Sequence, residues 1–337
     1  MRILYFGELG EGSTARMRVR ALGELGHEVI SFDTRQHMNG RLRVLNALRF
    51  RFPAGLWSSR LNSAFVKAVA TSKPNLVWID KGILLRRASL SAARQASGAL
   101  LLHYNPDDPY GTNRGCWDVF LDAIPEYDVH LVMRDLNVSE YLNAGARRVI
   151  RWHWAFDPLA HRPLPVTAND RENLGGTVGF IGTYEADRAR SIAYLTSNGV
   201  PVRVWGNGWE QRRNASPLLH IEGRDLIGDD YARAICAFDI SLGFLRKANR
   251  DLSTQRSVEI PACGGFMLAE RTDEHLKLFE EDKEAVFFSS DRELLDKVRY
   301  YLARPEERQR IAAAGLQRCI SGRYDYASRL KEIDVIS

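Results

Sequence analysis

Short apolar runs that alternate with helix-like stretches are the feature of this sequence that most constrains its fold. The first run, RILYFGEL, has the length of a strand; a glycine-containing turn, a helical pattern that extends to Leu25, and a second apolar run, VISFD, follow it. Further apolar runs are LVWID (76–80), ALLLHY (99–104), VHLVM (129–133) and RVIRW (148–152). Alternation at this spacing predicts an α/β fold with a doubly wound parallel sheet and argues against an all-β fold.

The alternation is interrupted once, and the interruption predicts a domain boundary. Residues 157–176 contain three prolines, two asparagines and a Gly-Gly pair. Beyond them the pattern restarts with TVGFIG (177–182), VPVRVW (200–205), DISLGF (239–244) and AVFF (285–288). A chain of 337 residues is also too long for one ordinary core. We therefore predict one Rossmann-like domain over residues 1–160, a second over 161–322, and a C-terminal helix over 323–337.

Composition and cysteine usage exclude several classes of protein. Hydrophobic residues make up 45% and charged residues 26% of the chain, close to the average for globular proteins, and no apolar run reaches 18 residues. The four cysteines are scattered, with neither a CxxC pair nor a histidine at metal-ligand spacing. The sequence therefore predicts a cytoplasmic, reduced, metal-free globular protein, and it argues against a disordered or membrane-spanning chain.

A basic stretch over residues 34–79 is the most uneven part of the charge distribution. It contains no acidic residue, and apolar side chains lie between its basic ones. The basic residues are Arg35, Arg41, Arg43, Arg49, Arg51, Arg60, Lys67 and Lys73. A solvated face is the favoured interpretation; the alternatives are a peripheral contact with the inner face of an anionic membrane and an acidic acceptor. Because no aromatic-basic motif of a nucleic-acid reader is present, no nucleic-acid partner is predicted.

Residues at the carboxyl ends of predicted strands are the candidates for ligand binding, since open parallel sheets bind their ligands there. In the C-terminal half the candidates after two successive strands are Gly182, Thr183, Tyr184, Gly206, Asn207, Gly208 and Trp209. Gly182 and Gly206 would let the backbone approach a ligand closely, and Arg188 and Arg190 follow the first turn at a reach suited to a diphosphate. The alternative is that both turns are ordinary strand–helix connections.

The segment RSVEIPACGGFMLAE (256–270) places charge beside an apolar, glycine-containing stretch. If a helix begins near Ser257, its backbone N–H groups would favour phosphate, and Glu259 could accept both hydroxyls of a ribose. The alternative is that Arg256 and Glu259 form a local i,i+3 pair on a surface helix, which would contribute only about 0.3 kcal/mol.

The same segment also carries a resemblance to a known family. RSVEIPACGGFMLAERTDEHLKLFEEDKEAVFF, followed by DRELLDKVRYYLARPEERQRIAAAG, resembles the C-terminal half of the CgeB-like (spore-maturation) glycosyltransferases, relatives of the group 1 retaining enzymes of the GT-B fold. GFIGTYEADR and VRVWGNGW are similar to strand–turn segments of that family. The resemblance covers most of residues 128–326 and is only a matter of pattern in the first 120 residues.

This resemblance implies the GT-B fold, in which two Rossmann-like domains face each other across a cleft. The C-terminal domain would bind the donor nucleotide sugar and the N-terminal domain the acceptor. Group 1 enzymes use a Glu-x7-Glu motif, whose second position matches Glu259, the implied ribose ligand. The first position, near the transferred sugar, is occupied by Asp251 instead of glutamate.

The resemblance also implies which residues hold the diphosphate and against which domain the last helix packs. Arg188 and Arg256 are the implied diphosphate ligands, with Lys247 and Arg250 as substitutes. The final residues, 323–337, are similar to the helix that returns to the N-terminal domain in GT-B enzymes.

The acceptor side is expected in the N-terminal half, in loops after two of its strands. HYNPDDPYG (103–111) supplies polar side chains that could hydrogen-bond sugar hydroxyls, and one of its two carboxylates could take the acceptor proton. The alternative is a polar turn set by its prolines. The acceptor-side candidates are His103, Asn105, Asp107 and Asp108 after one strand, and Glu8, Gly10, Ser13 and Arg16 after the first.

Together these observations predict a hexosyltransferase-like glycosyltransferase that moves a sugar from a UDP, GDP or dTDP donor to a hydroxyl acceptor, either a glycan, a lipid-linked molecule or a small molecule. The reaction is expected to retain anomeric configuration and to need no metal or other cofactor, with Arg188, Arg256 and backbone N–H groups stabilising the leaving diphosphate. Two alternatives stay open. One is a GT-B module that binds sugar nucleotides or glycans without turnover. The other is an NAD-dependent oxidoreductase, although GELGEG reads G-x-x-G-x-G instead of G-x-G-x-x-G.

Overall fold

The computed structural model describes residues 1–37, 56–112 and 116–336. The described chain divides into two compact units, each built on a parallel sheet. One unit, called the N-terminal unit, comprises Met1–His153, Lys247–Arg250 and Tyr326–Ser337; the other, called the C-terminal unit, comprises Trp154–Arg246 and Asp251–Asp325. The structure thus divides after His153, whereas the sequence-based boundary lies after residue 160.

Six parallel strands form the sheet of the N-terminal unit, in the order β2-β1-β3-β4-β5-β6. The strands are β1 (Arg2–Gly7), β2 (Glu28–Asp33), β3 (Leu76–Asp80), β4 (Leu100–Asn105), β5 (Val129–Val132) and β6 (Val149–Arg151). The helices are α1 (Thr14–Glu24), α2 (Thr34–His37), α3 (Leu56–Ser72), α4 (Arg87–Ser97), α5 (Asp118–Ala123), α6 (Asp135–Asn143) and, from the end of the chain, α14 (Tyr326–Lys331). The strand order reverses between β1 and β3, so that the carboxyl ends of these two strands flank a switch point.

The C-terminal unit repeats this architecture with the strand order β12-β11-β10-β7-β8-β9. Its strands are β7 (Gly176–Ile181), β8 (Val202–Trp205), β9 (Leu219–Ile221), β10 (Phe238–Gly243), β11 (Met267–Glu270) and β12 (Val286–Phe288). Its helices are α7 (Ala168–Asn173), α8 (Ala186–Ser197), α9 (Gly228–Ala237), α10 (Arg256–Ala262), α11 (Asp273–Leu278), α12 (Asp291–Leu302) and α13 (Pro305–Ser321). Here the order reverses between β7 and β10, as it does in dinucleotide-binding Rossmann sheets.

Apolar runs explain why the strands form where they do. LVWID is fully buried along β3, and β1 pairs in parallel with β2 on one side and with β3 on the other. Strands buried on both faces of a parallel sheet read as continuous apolar runs, which is why the sequence pattern located them. The interruption at 157–176 also contains a structural element that the pattern did not predict, because α7 is a short polar helix set by a capping box between Thr167 and Asp170.

The segment 256–270 divides into α10 and β11, joined by a glycine turn. Gly264 has a φ of +73°, which favours glycine. A Cβ on Gly265 would lie 2.4 Å from the Cγ2 of Ile235, so this glycine lets the turn pack against α9. The helix begins at Arg256, one residue before the predicted start.

Two glycines bring the ends of β7 and β8 into direct contact. Gly206 has a φ of +134°, and a Cβ there would lie 2.2 Å from the carbonyl oxygen of Gly182. The backbone N–H of Gly182 in turn donates to the carbonyl of Trp205. The two strand-end turns therefore form one packed layer.

A buried ion pair lies beneath the switch point of the N-terminal unit. The guanidinium of Arg18, on α1, contacts the carboxylate of Asp80 at the end of β3, and both side chains are almost fully buried. The hydroxyl of Tyr5 donates to Asp80 (2.8 Å) and accepts from the Nε of Arg18 (2.9 Å). Arg18 also donates to the hydroxyl of Tyr326 on α14 (3.3 Å) and lies over the ring of Tyr104. The pair thus ties α1, β1, β3, β4 and α14 together.

The basic stretch is described only in part. Arg41, Arg43, Arg49 and Arg51 lie outside the described residues, as do the apolar side chains between them. Arg35 forms an ion pair with Asp33 at the end of β2 (2.7 Å). In the described ranges, no helix is both long enough and apolar enough to cross a bilayer.

We expect Arg18→Met to lower the free energy of unfolding of the protein by about 3–5 kcal/mol, because it leaves Asp80 charged and buried without its partner. Urea titration followed by circular dichroism would measure the change. Arg147→Ala is the matched control, since it breaks a pair with Asp128 in which the arginine is half exposed, and we expect it to cost less than about 1 kcal/mol. Equal losses in the two variants would contradict the anchoring role of Arg18.

We expect Gly206→Ala to be more destabilising than Gly199→Ala, although both glycines have positive φ. A Cβ on Gly199 would have no other atom within 4 Å, so alanine there meets only the backbone preference, about 1–2 kcal/mol. At Gly206 the added methyl group also collides with the carbonyl of Gly182. Parallel urea titrations of both variants would show the difference; a smaller loss at Gly206 would mean that the two turns separate easily.

Candidate functional site

Arg188 joins the carboxyl ends of the two strands that flank the switch point of the C-terminal unit. Its Nη1 donates to the carbonyl of Thr183, after β7 (3.0 Å). Its Nε and Nη2 donate to the carbonyl of Leu245, after β10 (3.3 and 3.2 Å). The predicted turn 182–184 and the end of β10 are thereby held at fixed positions around one guanidinium.

Two further arginines converge on the same point. The Nε of Arg256, in the first turn of α10, donates to the carbonyl of Ile181 at the end of β7 (3.2 Å). Arg246 lies directly after Leu245 and pairs with Glu185 (3.2 Å). Burial lowers the pKa of Arg188, Glu185 opposes this shift, and the neighbouring charges of Arg246 and Arg256 lower the pKa further. Three guanidinium groups that repel one another form a place where a doubly charged anion would be stabilised.

Glu259 contacts Arg256, one of these arginines, and its side chain is buried in the protein. Its carboxylate is only 3% exposed and accepts hydrogen bonds from the hydroxyl of Tyr231 (2.6 Å) and from Nη1 of Arg256 (2.8 Å). The Nε2 of His161 lies 3.3 Å from its other oxygen. Burial would raise the pKa of Glu259, but His161, Arg256 and Tyr231 together lower it, so the carboxylate is kept charged. The i,i+3 pair with Arg256 is present, but it is not a surface pair.

Ser257 is also buried and serves the local structure. Its hydroxyl accepts from the backbone N–H of Thr254 (2.9 Å) and is 2.7 Å from Nε2 of His275. The other ring nitrogen of His275, Nδ1, lies 2.6 Å from the carbonyl oxygen of Glu270. Because a carbonyl oxygen can only accept, Nδ1 carries the proton, and the hydroxyl of Ser257 donates to Nε2. These contacts fix the start of α10 against β11.

The turn after β8 is held together by its own predicted site residues. Trp209 is fully buried, and its indole N–H donates to the carbonyl of Gly182 (2.9 Å). The prediction that Trp209 contacts a ligand is corrected, because the ring packs in the core beside Phe180. Asn207 donates to the carboxylate of Asp225, and its carbonyl accepts from the N–H of Tyr184 (3.0 Å).

Asp251 occupies the first acidic position of the implied motif and belongs to the C-terminal unit. Asp251 is nearly buried, and its charge acts on Arg188 by raising the pKa of that guanidinium. Asp251 therefore lies close enough to Arg188 for the two charges to interact, while its implied place beside the transferred sugar stays a prediction.

In the N-terminal unit, His103 does not lie in the loop where the sequence-based prediction puts it. The ring is fully buried, with one nitrogen 3.0 Å from the carbonyl of Lys81 and the other 3.0 Å from a ring nitrogen of His130. Burial and the proximity of His130 lower its pKa well below the usual value. The acceptor contact predicted for His103 is corrected, because the ring lies inside β4 and not after it.

Asp108 and Arg250 likewise have structural roles. The carboxylate of Asp108 is buried and accepts from Nε and Nη2 of Arg250 (2.6 and 3.0 Å) and from the side chain of Asn137 (2.9 Å). Arg250 donates in addition to Glu140 (2.9 and 2.8 Å). Arg250 belongs to the N-terminal unit, so its proposed use as a substitute diphosphate ligand is corrected: its guanidinium is taken up by two carboxylates. Lys247 belongs to the same four-residue segment.

Asp107 keeps a partly exposed carboxylate at the end of β4. It pairs with Nζ of Lys81 (2.8 Å), which follows β3 with a φ of +63°, and accepts from the side chain of Asn249 (3.1 Å). Asn105 is buried and accepts from the N–H of Asp107 (3.1 Å), which shapes the turn.

The loop after β1 has two candidates with structural roles and two exposed ones. Ser13 caps α1, since its hydroxyl accepts from the N–H of Arg16 (3.2 Å). The side chains of Glu8 and Arg16 are exposed. A Cβ on Gly10 would lie 2.9 Å from the guanidinium of Arg35, so the glycine admits that side chain.

Four residues near these sites were missed by sequence reasoning. Arg246 could have been found, because it follows the run DISLGF by the same rule that selected Arg188. The other three, His161, Tyr231 and Lys81, had no signal in the local sequence. In the part of the chain that the structure describes, no group of three or more His, Cys, Asp or Glu side chains is arranged to hold a metal ion.

The chain is similar to known proteins in part of its sequence and in its fold. Residues 188–334 match a family model described as glycosyl transferase-like, and no curated protein matches the chain. HepE from Anabaena, in complex with UDP and glucose, is similar over 99% of this chain and 98% of its own, with a TM-score of 0.67 and 12% identity. Sucrose-phosphate synthase from Thermosynechococcus elongatus has the same coverage, with a TM-score of 0.70 and 13% identity. Trehalose-6-phosphate synthase OtsA covers 99% of both chains, with a TM-score of 0.64 and 9% identity.

These similarities concern the fold at low sequence identity. The predicted narrower membership, among CgeB-like enzymes, stays a prediction. The predicted fold class is confirmed: the chain has the GT-B fold, with two Rossmann-like α/β units.

Proposed function

We propose that this protein is a glycosyltransferase that moves a sugar from a nucleoside-diphosphate sugar to a hydroxyl acceptor. The donor would bind to the C-terminal unit, at the switch point between β7 and β10. The observation that carries the proposal is the convergence of Arg188, Arg246 and Arg256 at that point. The similarity of residues 188–334 to glycosyl transferase-like proteins, and of the fold to HepE in complex with UDP-glucose, supports the same function.

The diphosphate of such a donor suits the arginine cluster for an electrostatic reason. The three guanidinium groups repel one another when no anion is present, and two adjacent phosphate groups would relieve this repulsion. When the bond to the sugar breaks, the leaving diphosphate gains charge, so the same groups would stabilise it more strongly during the reaction. Arginines in this role would make a metal unnecessary, which is part of the proposal.

The proposal extends to the donor base and to the stereochemistry of the reaction. A UDP-type donor is favoured because HepE is bound to UDP and to UDP-glucose; GDP and dTDP are the alternatives. A retaining reaction is proposed from the implied group 1 relationship, with the acceptor hydroxyl attacking on the face that the diphosphate leaves. An inverted anomer in the product, seen by NMR, would contradict this mechanism.

The acceptor is proposed to bind to the N-terminal unit, at the carboxyl ends of β1, β3 and β4. Asp107, Lys81 and Glu8 offer partly or fully exposed polar groups there. Since Asp108 is occupied by Arg250, Asp107 is the carboxylate of the pair that could take a proton from the acceptor. Glycans, lipid-linked molecules and small molecules with a hydroxyl group are the candidate acceptors.

We expect UDP to stabilise the wild-type protein against thermal unfolding, and Arg246→Gln to weaken UDP binding by about 10–100-fold, because a charge-assisted hydrogen bond contributes about 1.5–3 kcal/mol. A thermal-shift panel of UDP, GDP, dTDP and NAD, followed by calorimetric titration, would measure both effects; ligand at about 100 Kd should add about 2.7 kcal/mol of stability. Arg190→Gln is the matched control on α8, since that exposed arginine forms a local i,i+3 pair with Asp187.

Three results of the panel would decide against parts of the proposal. Stabilisation by NAD alone would favour the oxidoreductase alternative. Equal weakening in Arg246→Gln and Arg190→Gln would mean that the diphosphate does not bind at the arginine cluster. Binding of none of the nucleotides would contradict a donor site in the unit.

We expect the wild type to release UDP slowly from UDP-glucose without an acceptor and to do so equally in the presence of EDTA, since transferases leak to water. Chromatographic detection of UDP over several hours would measure the release. A non-catalytic binding module would bind the donor and release none, and a rate abolished by EDTA would contradict metal independence.

A further inference from the structure

We propose that Glu259 acts in this chain by positioning Arg256, with Tyr231 and His161 as its supports, and does not bind the ribose of the donor. The inference rests on the proposed function, because it assigns a role within the donor site. It departs from the role that the sequence resemblance implies for the same glutamate.

The carboxylate of Glu259 has its acceptor capacity directed to protein groups. One oxygen accepts from both Tyr231 (2.6 Å) and Arg256 (2.8 Å), and the other faces Nε2 of His161 (3.3 Å). The Nδ1 of His161 accepts from the backbone N–H of Asp157 (3.0 Å). The ring therefore carries its proton on Nε2, the nitrogen that lies 3.3 Å from Glu259. With 3% of its surface exposed, the carboxylate offers no face to a sugar diol.

Arg256 is fixed on three sides by the same arrangement. Its Nε is held by the carbonyl of Ile181 (3.2 Å), its Nη1 by Glu259, and its Cζ lies over the ring of Tyr231, 5.1 Å from the ring centre. Among the described residues, Nη2 of Arg256 has no hydrogen-bond partner, so this amino group is the one presented to a ligand. A planar guanidinium with two edges fixed has its third donor aimed in one direction.

Turning Glu259 toward a ribose would undo this arrangement. The hydroxyl of Tyr231 and the Nε2 proton of His161 would lose their acceptor inside the protein, where unpaired polar groups are costly. Arg256 would lose its counter-charge while still close to the positive charge of Arg188. The residue can therefore hold Arg256 or bind the diol, and the hydrogen bonds favour the first role.

The two roles predict different responses to the ligand. If Glu259 positions Arg256, Glu259→Gln and Tyr231→Phe should both weaken the binding of UDP by about tenfold or more. Neither should change the ratio of the affinities for UDP, 2′-deoxy-UDP and 3′-deoxy-UDP. Isothermal titration calorimetry would give these constants. A wild-type preference for the ribose hydroxyls that disappears in Glu259→Gln and persists in Tyr231→Phe would overturn the proposal.

Coupling between the two residues provides a second criterion. In the positioning role, the double variant Arg256→Gln/Glu259→Gln should bind UDP no more weakly than Arg256→Gln alone, because Glu259 acts only through Arg256. Factors that multiply would instead mean that the two side chains contact the nucleotide independently, which would count against the proposal.

A measurement without ligand separates this proposal from the proposed function. In protein labelled with 15N-arginine, the Nε–H signal of Arg256, assigned by its loss in Arg256→Lys, should be protected from solvent exchange in the wild type. Protection should fall at least tenfold in Tyr231→Phe and Glu259→Gln. The matched controls, Tyr301→Phe and Glu293→Gln, remove a tyrosine–carboxylate bond and an arginine partner elsewhere in the same unit and should leave the signal unchanged.

The outcomes are distinguishable. An Arg256 signal that is unchanged in Tyr231→Phe and Glu259→Gln would overturn the positioning role, whether or not UDP binds. A signal that changes as expected in a protein that binds no nucleotide would sustain the positioning role and contradict the proposed function. If Glu259→Gln fails to fold, Tyr231→Phe still carries both measurements, since it removes a single hydroxyl.

Discussion

The hydrogen bonds from Arg188 to the carbonyls of Thr183 and Leu245 are the interaction on which the candidate site depends. In a parallel sheet, strands that are far apart in sequence end at the same edge. The loops that follow them keep a defined spacing only if contacts such as hydrogen bonds join them. Arg188 supplies three donors to carbonyl groups that would otherwise face outward. It also places a positive charge where the strand order reverses. Structure and electrostatics at this edge therefore come from one side chain.

Positive charge at one point must be compensated, and the C-terminal unit does this unevenly. Glu185 is shared between Arg188 and Arg246, while Glu259 serves Arg256 from behind. Glu185 is partly exposed, whereas the carboxylate that serves Arg256 is buried. The N-terminal unit shows the contrasting case, because Arg18 and Asp80 neutralise each other completely inside the core. Arginine–carboxylate pairs therefore fill the core of one unit and lie at the strand ends of the other.

The fold was predictable because its signal is local, whereas roles that depend on distant partners were not. LVWID is buried on both faces, so its apolar character is visible in five consecutive letters. His103 shows the limit of this rule, because the sequence predicts an acceptor contact for a polar residue that lies inside a buried strand. Asp108 looked like a reactive carboxylate, but Arg250, 142 residues away, neutralises it. Glu259 is likewise enclosed by side chains that nothing in their own segments marks as its partners. A sequence read one segment at a time shows which side chains reach an edge of the sheet, but not which of them are already satisfied there.

The short segment Lys247–Arg250 has a consequence for dissecting the protein. It belongs to the N-terminal unit, although the residues before and after it belong to the C-terminal unit. A fragment that ends at His153 would lack Arg250, and the buried carboxylate of Asp108 would have no cation beside it; it would also lack α14, which supplies Tyr326 to Arg18. No single cut of the chain yields both units intact. Fragments that encode either half alone should therefore fold poorly, and an exchange of units with a chain of the same fold would have to carry all of these segments together.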